Sequence, residues 1–424
     1  MNIYLVGGAV RDALLGLTDS DKDWVVVGAT PQEMLDAGFT PVGKDFPVFL
    51  HRQTHEEYAL ARTERKVALG YHGFEFQASP EVSLEEDLMR RDLTINAMAQ
   101  SPEGALIDPY GGQADLTSEV FRHVSEAFRE DPVRILRLAR FAARFPTFRV
   151  HPETADLCRA MVQAGEVSAL VAERVWQECA RALMSVRPSR FFEVLQECGA
   201  FAVLFKEWRA WSEHPPTWRW VMESLDLMAN KGGTLSERWA LLSCPWFENR
   251  AQHEQSLTNP PHPPQSPHPT HPAHSDHPSH GPTGLQARLK APSDCQDLAG
   301  VVSRLGGALT KGETLHAPEC LEFLQHMDAF RRPERLVSWF FVLGTVLEAA
   351  QDQDPQHGFK HRCEMRHLKL KTLQAAWSLL SSLDTKALTQ EALAMGLQGA
   401  QVGEWIHQQR LAHLFQSDRF KASP

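Results

Sequence analysis

The sequence predicts an α+β protein whose strands are gathered near the N-terminus. Two observations carry that expectation. Short β-prone runs alternate with helical stretches up to about residue 115, and from about 116 onward apolar residues recur at helical spacing. Ile3–Val6, Trp24–Val27, Val48–His51 and Tyr58–Ala61 read as strands, with helical stretches around 9–16 and 31–37 between them. Farther on, Phe191–Leu195 and Trp220–Met228 carry the helical period. Cys158, Cys179 and Cys198 fall within helical patterns and are expected in the core as reduced thiols, since no C-x-x-C pair occurs.

At 424 residues the chain is too long for one ordinary core, and about two to four domains are expected. Hydrophobic content of 43% with 23% charged residues fits a folded protein in water. No apolar run reaches the roughly 20 residues of a membrane span, and the N-terminus begins on a strand-like segment, so a cytoplasmic location is expected. The net charge of −10 argues against nonspecific nucleic-acid binding. Residues 121–149 depart from that average, with seven arginines against three acids, a local basic stripe suited to phosphates. The stretch 251–284 holds nine prolines, seven histidines and no aromatic residue, and such a composition cannot bury a core. It reads as an extended or disordered insertion.

Chemistry is concentrated in an ordered series of motifs. Leu5-Val6-Gly7-Gly8-Ala9-Val10-Arg11-Asp12 is a strand running into a glycine turn and a helix start, followed by Asp21-Lys22-Asp23. Glycines let backbone N–H groups approach phosphate oxygens at a helix N-terminus. Carboxylates at i and i+2 of an extended strand share one face, so Asp21 and Asp23 can share a metal. The plainer reading is a tight turn with solvated acids beyond it. Arg90-Arg91-Asp92-Leu93-Thr94-Ile95-Asn96 pairs a cation for phosphate or sugar with an acceptor for a ribose hydroxyl, or is simply a helix start with an ion pair. Asp108-Pro109-Tyr110-Gly111-Gly112 reads as a turn-rich connector. In Glu130-Asp131-Pro132-Val133-Arg134, Asp131 stands where a helix cap belongs, and Arg134, Arg137 and Arg140 follow every third residue. An aspartate and an arginine on one helix can together read a base edge, or form a capped helix with a solvated arginine face.

Taken in order, these motifs resemble the class II CCA-adding tRNA nucleotidyltransferases, most closely the long bacterial form. Val42–Leu50, Glu57–Lys66, Glu173-Arg174-Val175-Trp176, Asp328–Pro333 and Gly396–Gly399 extend the likeness, which is strong over 1–210 and patchy beyond. The resemblance implies a polymerase-beta-like nucleotidyltransferase head (1–120) followed by an all-helical neck (121–210), body (211–320) and tail (321–424). It implies addition of C, C and A to the tRNA 3′ end from CTP and ATP without a template. Carried over by position, Gly8 and Arg11 would contact the triphosphate. Asp21 and Asp23 would be catalytic and hold Mg2+, with Glu57 a candidate third carboxylate. Arg91 and Asp92 would recognise the ribose, Asp131 and Arg134 the base, while Arg137 and Arg140 would support the nucleotide. Neighbouring activities within the fold are poly(A) polymerase and CC-only or A-only addition. Lys44-Asp45-Phe46 stands where poly(A) polymerases tend to carry Arg-Arg-Phe, and the stretch from Glu64 to Phe74 keeps the loop that CC-only enzymes lack.

One departure stands out. The long form usually carries an HD phosphohydrolase centre, and no His-Asp dipeptide occurs in this sequence. Ser243-Cys244-Pro245-Trp246-Phe247-Glu248 replaces the expected Cys-His-Asp-Leu-Gly-Lys, and Leu298–Leu309 contains no histidine. The body is therefore expected to persist as a scaffold without hydrolase metal binding.

Overall fold

Trp24, Val25, Val26 and Val27 alternate between two apolar layers, and the N-terminal fold is assembled around them. The computed structural model describes residues 1–18, 21–42, 48–66, 74–248, 282–310, 314–351 and 357–420. They divide into two units, Met1–Lys206 and Glu207–Pro424.

In the first unit, β1 (Asn2–Val6) leads into α1 (Gly8–Leu14), then β2 (Asp23–Val27) and α2 (Pro31–Asp36). β3 (Thr40–Val42), β4 (Val48–Leu50) and β5 (Glu57–Leu60) follow, and β6 (Arg62–Lys66) and β7 (Phe74–Ala78) form a separate ribbon. After α3 (Leu84–Met89), β8 (Ala99–Gln100) and β9 (Leu106–Ile107) complete a seven-stranded sheet of order β3-β4-β5-β2-β1-β8-β9. β2 runs antiparallel to β1, with Val6 opposite Asp23, and parallel to β5, with Asp23 opposite Glu57. The period of two sends Val25 into one layer with Val6, Leu88 and Ala97, and Val26 into the other with Met34, Phe49 and Leu60. Asp23 thus enters the sheet at the end of β2 where β1 turns into α1. Capping boxes at Thr30/Glu33 and Ser83/Glu86 start α2 and α3.

Two expectations are corrected here. Arg90–Asp92 do not open a helix: α3 ends at Met89, and the next turn is a 3-10 helix at Thr94–Asn96. The Asp108–Gly112 connector is also more than a link. The Asp108 carboxylate accepts the N–H groups of Gly112 (2.7 Å) and Gln113 (2.9 Å) and so caps α4 (Gly112–Thr117). Gly112 lies against the 3-10 turn, where a Cβ would stand 2.3 Å from the Thr94 carbonyl oxygen and 2.9 Å from Met98 Cγ.

Beyond residue 120 the first unit is largely but not wholly helical. β10 (Val120–Phe121) pairs in parallel with β11 (Arg149–Val150), on either side of α5 (Val133–Arg144). α6 (Pro152–Gln163), α7 (Ala172–Leu183) and α8 (Ser189–Glu197) follow, with α7 and α8 packed on α5. Cys158, Cys179 and Cys198 are buried, and burial pushes the Cys158 and Cys198 thiols up, as core thiols should be.

The described residues of the second unit are helical. Helices Pro215–Asn230, Leu235–Leu241, Ser293–Gly306 and Pro333–Ala349 pack on one another around fully buried Trp220, Trp239, Trp246 and Trp339. The indole N–H of Trp220 donates to the Val346 carbonyl (2.8 Å), and that of Trp246 to Gly306 (2.9 Å). Cys244, Trp246 and Phe247 of the altered motif are buried among them, and burial pushes the Cys244 thiol up to about 12. Most of the proline- and histidine-rich stretch, the Gly43–Pro47 motif and part of the 64–74 loop lie outside the described residues. Among the described residues no helix is long and apolar enough to cross a membrane.

The close contact at Gly112 generates a prediction. Gly112→Ala should destabilise the first unit by about 1–3 kcal/mol, the usual range for overpacking. Calorimetry of the full chain should show a lowered melting transition, and an unchanged melt would mean that the 94–98 turn yields freely.

Candidate functional site

A cavity of about 620 Å³ opens between the β1–α1 turn, the segment after α3, and the facing sides of α5 and α7. Ten arginines line it, against the four acids Asp23, Asp92, Asp131 and Glu178. Such an excess of fixed positive charge suits a polyanionic ligand.

The glycine turn forms one end. Gly7 has φ +69°, a conformation that L side chains rarely adopt, and a Cβ there would lie 2.7 Å from Arg91 Nη1. Gly8 also lines the cavity, but its Cβ would meet only Arg11 Nη2, at 3.5 Å. Gly7 is therefore the glycine that the backbone conformation of the turn requires, and Gly8 stands beside it in the wall of the cavity. Arg11 is 3% exposed. It donates from Nε to Asp12 (2.8 Å) and from Nη1 to the Asn96 side-chain oxygen (2.5 Å), and its guanidinium lies 5.1 Å from the Phe141 ring centre.

Asp23 is the carboxylate at this end of the cavity. Burial pushes its carboxyl up against the pull of Arg91, and the charges of Glu57 and Asp21 push it further. Asp21 is exposed, precedes the first residue of β2 and does not line the cavity. The shared face of a strand is thus not what relates it to Asp23. Among the described residues no three His, Cys, Asp or Glu side chains form a set able to hold a metal. Glu57, opposite Asp23 in the register of β2 and β5, is its electrostatic neighbour. An oxygen-only pair in which the charge of Asp21 pushes the Asp23 carboxyl up does fit a hard divalent cation, which would relieve that repulsion.

Arg91 is held by buried Asp87 (3.3 Å), which also takes Arg90 (2.8 Å). Asp92 is buried and engaged three times: by Arg137 Nε (2.7 Å), Asn96 Nδ2 (2.9 Å) and its neighbour's N–H, Leu93 (2.8 Å). Burial alone would raise its carboxyl, but Arg137, Asn96 and Arg134 outweigh that and hold it well below the usual range. A carboxylate offers about four acceptor positions, so about one remains for a ligand.

At the other end, Asp131 accepts the Val133 N–H (3.0 Å) and caps α5, as its position in the sequence suggests. The same carboxylate receives Arg174 Nη1 (3.1 Å) and Nη2 (2.7 Å) in a bidentate pair. Arg134 is buried and donates from Nη1 to the Ala127 carbonyl (2.8 Å), so it does not sit on a solvated helix face. Arg140 pairs with Glu178 (2.5 Å) and stacks on Phe141, 4.4 Å from the ring centre.

Every proposed nucleotide-contacting residue, Gly8, Arg11, Arg91, Asp92, Asp131, Arg134, Arg137 and Arg140, lines this one cavity; of the catalytic pair, only Asp23 does. The cavity also takes in Gly7 and Asn96, which the motifs contain, and Arg144, Arg174 and Glu178, to which the sequence assigns no site role. Arg174 and Glu178 were legible in one respect: four residues apart on a helix, they must share a face.

Residues 3–122 match the family model described as the poly A polymerase head domain, and residues 147–212 match one described as a probable RNA and SrmB-binding site of polymerase A. A multifunctional CCA protein of Azoarcus sp. (strain BH72) is 52% identical over 359 residues, covering 82% of each chain. A CCA-adding enzyme of Coxiella burnetii (strain RSA 331) is 50% identical over 353 residues, covering 83% of this chain and 84% of that one. Among solved structures, the Bacillus stearothermophilus CCA-adding enzyme in complex with CTP superposes with a TM-score of 0.59 at 23% identity, over 97% of this chain and 88% of that chain, which shows the shared fold. Identity of this degree over most of both sequences decides the family, and the chain belongs to the class II CCA-adding tRNA nucleotidyltransferases, close to the bacterial multifunctional CCA proteins.

Proposed function

We propose that this chain adds C, C and A to the 3′ end of tRNA from CTP and ATP, in the cytoplasm and without a nucleic-acid template. The observation that carries the reading is the single arginine-rich cavity with Asp23 at one end and the Asp131–Arg134 helix start at the other. That separation suits a nucleotide bound with its phosphates toward the glycine turn and its base toward α5. The reaction forms a bond from the terminal 3′-hydroxyl to the α-phosphorus and breaks the bond to the departing pyrophosphate. The arginines hold the phosphate charge, and the remaining acceptor position of Asp92, with Arg91, fixes the ribose. Asp131, held flat by Arg174, offers an acceptor to an exocyclic amine, which C and A both carry and U lacks. Arg134 offers donors to the neighbouring ring nitrogen or carbonyl. Arg137 and Arg140 buttress that edge from the next turn of α5.

Asp21 and Asp23 are the residues to hold Mg2+. When bound, the ion supplies activation of the attacking hydroxyl and neutralisation of the leaving pyrophosphate. For the rest of the chain we keep a head over 1–120, neck over 121–210, body over 211–320 and tail over 321–424. The body is read as a degenerate HD scaffold lacking phosphohydrolase activity, because Trp246 and Phe247 occupy the core at the altered motif and no His-Asp pair exists to bind metal.

Asp21→Ala and Asp23→Ala should each reduce incorporation of both labelled CTP and ATP into tRNA lacking its 3′ end by at least about 10³-fold, several kcal/mol of charge stabilisation. Near-normal CTP incorporation by both variants would remove the assignment. Arg134→Ala should narrow the preference for CTP and ATP over UTP and GTP by about 1–3 kcal/mol. Competition assays with all four nucleotides would show this, and an unchanged preference would leave Arg134 a purely structural residue.

The intact protein should show no 2′,3′-cyclic phosphodiesterase or phosphatase activity with added nickel, manganese or magnesium. Deleting 253–279 should leave CCA addition in place. Hydrolysis that is robust in the intact chain and lost on deletion would reveal a metal site rebuilt from the histidine tract.

A further inference from the structure

The buried carboxylate of Asp12 stands just behind the cavity and joins two elements that line it. It does not itself reach the cavity. Its Oδ1 receives both Nε and Nη2 of Arg11, each at 2.8 Å, and its Oδ2 receives Nη2 of Arg144 at 2.8 Å. Arg11 comes from α1, directly after the glycine turn, and Arg144 is the last residue of α5, the helix whose other end carries Asp131 and Arg134. Both arginines line the cavity. The Phe145 ring centre lies 5.2 Å from the guanidinium of Arg11 and 5.0 Å from that of Arg144.

We propose that Asp12 is a positioning residue that fixes Arg11 and Arg144 at one spacing, as a two-arginine receptor for the polyphosphate chain of the nucleotide. The inference rests on reading the cavity as a nucleotide site. A guanidinium has five N–H donors. Arg11 uses Nε and one donor of Nη2 on Asp12, and one donor of Nη1 on Asn96. Two remain for phosphate oxygens. Arg144 is committed to Asp12 through Nη2 alone, and its side chain is 38% exposed. One carboxylate between two cations leaves a net positive charge, and two guanidinium groups so close repel each other without it. A polyphosphate meets them already gathered, which spares the cost of ordering two long side chains on binding. The same link ties the glycine turn to the C-terminal end of α5. Asp12 therefore acts on the phosphate end of the ligand and leaves the base-reading end, one helix length away, untouched.

The test separates those ends. Asp12→Asn keeps the shape and removes the charge, and Arg144→Gln removes the more exposed arm with the fold left in place. In both full-length variants the inhibition constant for inorganic tripolyphosphate should rise about tenfold, equivalent to about 1.4 kcal/mol. KM should rise by the same factor for CTP and ATP, while the preference for CTP over UTP stays at the wild-type value. Arg144→Lys should recover part of the loss. Unchanged tripolyphosphate inhibition in both variants overturns the proposal, and so does a change confined to base preference. A wild-type protein that incorporates CTP but is not inhibited by tripolyphosphate also refutes it. A wild-type protein that incorporates no nucleotide refutes the underlying reading of the cavity, a different result from either.

Discussion

Many guanidinium groups can face one cavity only if acids in and behind its wall hold most of them in place. Asp12, Asp87, Asp92, Asp131 and Glu178 do this for Arg11 and Arg144, Arg90 and Arg91, Arg137, Arg174, and Arg140 respectively. Most of these carboxylates are buried, so they are shielded from salt and fixed in direction. Removing one partner of such a pair leaves an uncompensated charge, at a cost of about 3–5 kcal/mol. The arrangement also explains why the arginines do not crowd the site. Each guanidinium spends some donors on its acid and presents the rest to the cavity.

The sheet serves this network by placing the acids that are not paired with arginine. The parallel register of β2 and β5 sets Asp23 opposite Glu57, and the antiparallel register of β1 and β2 sets Asp23 opposite Val6, next to the glycine turn. Negative charge is concentrated there and positive charge along α5 and α7. A nucleotide and a divalent cation together complement both regions. Glycine is needed twice. Gly7 takes a positive φ at the turn that L side chains rarely adopt, and Gly112 lets α4 close on the 3-10 turn that carries Asn96.

The second unit is held differently. Its core is built from tryptophans whose indole N–H groups, at Trp220 and Trp246, are satisfied by backbone carbonyls of neighbouring helices. Large aromatic rings bury much apolar area per residue, and a bonded N–H avoids the penalty of an orphaned donor. Cys244 and Phe247, on either side of Pro245-Trp246, are buried in the same apolar core.

Local chemistry determined much of this by itself. The alternating run Trp24–Val27, the cap at Asp131, the helical cysteines and the motif order were all legible, because period, capping and spacing are properties of neighbouring residues. The family followed from that order. Pairing across the chain was not legible. No spacing rule joins Asp12 to Arg144, Asp131 to Arg174 or Arg140 to Glu178, since those contacts depend on how α1, α5 and α7 pack. The sequence displayed Arg134 as one of a surface-like stripe, and only the tertiary structure buried it. Helical phase says which residues share a side, but which side meets another element is decided by the apolar surfaces the whole fold must bury.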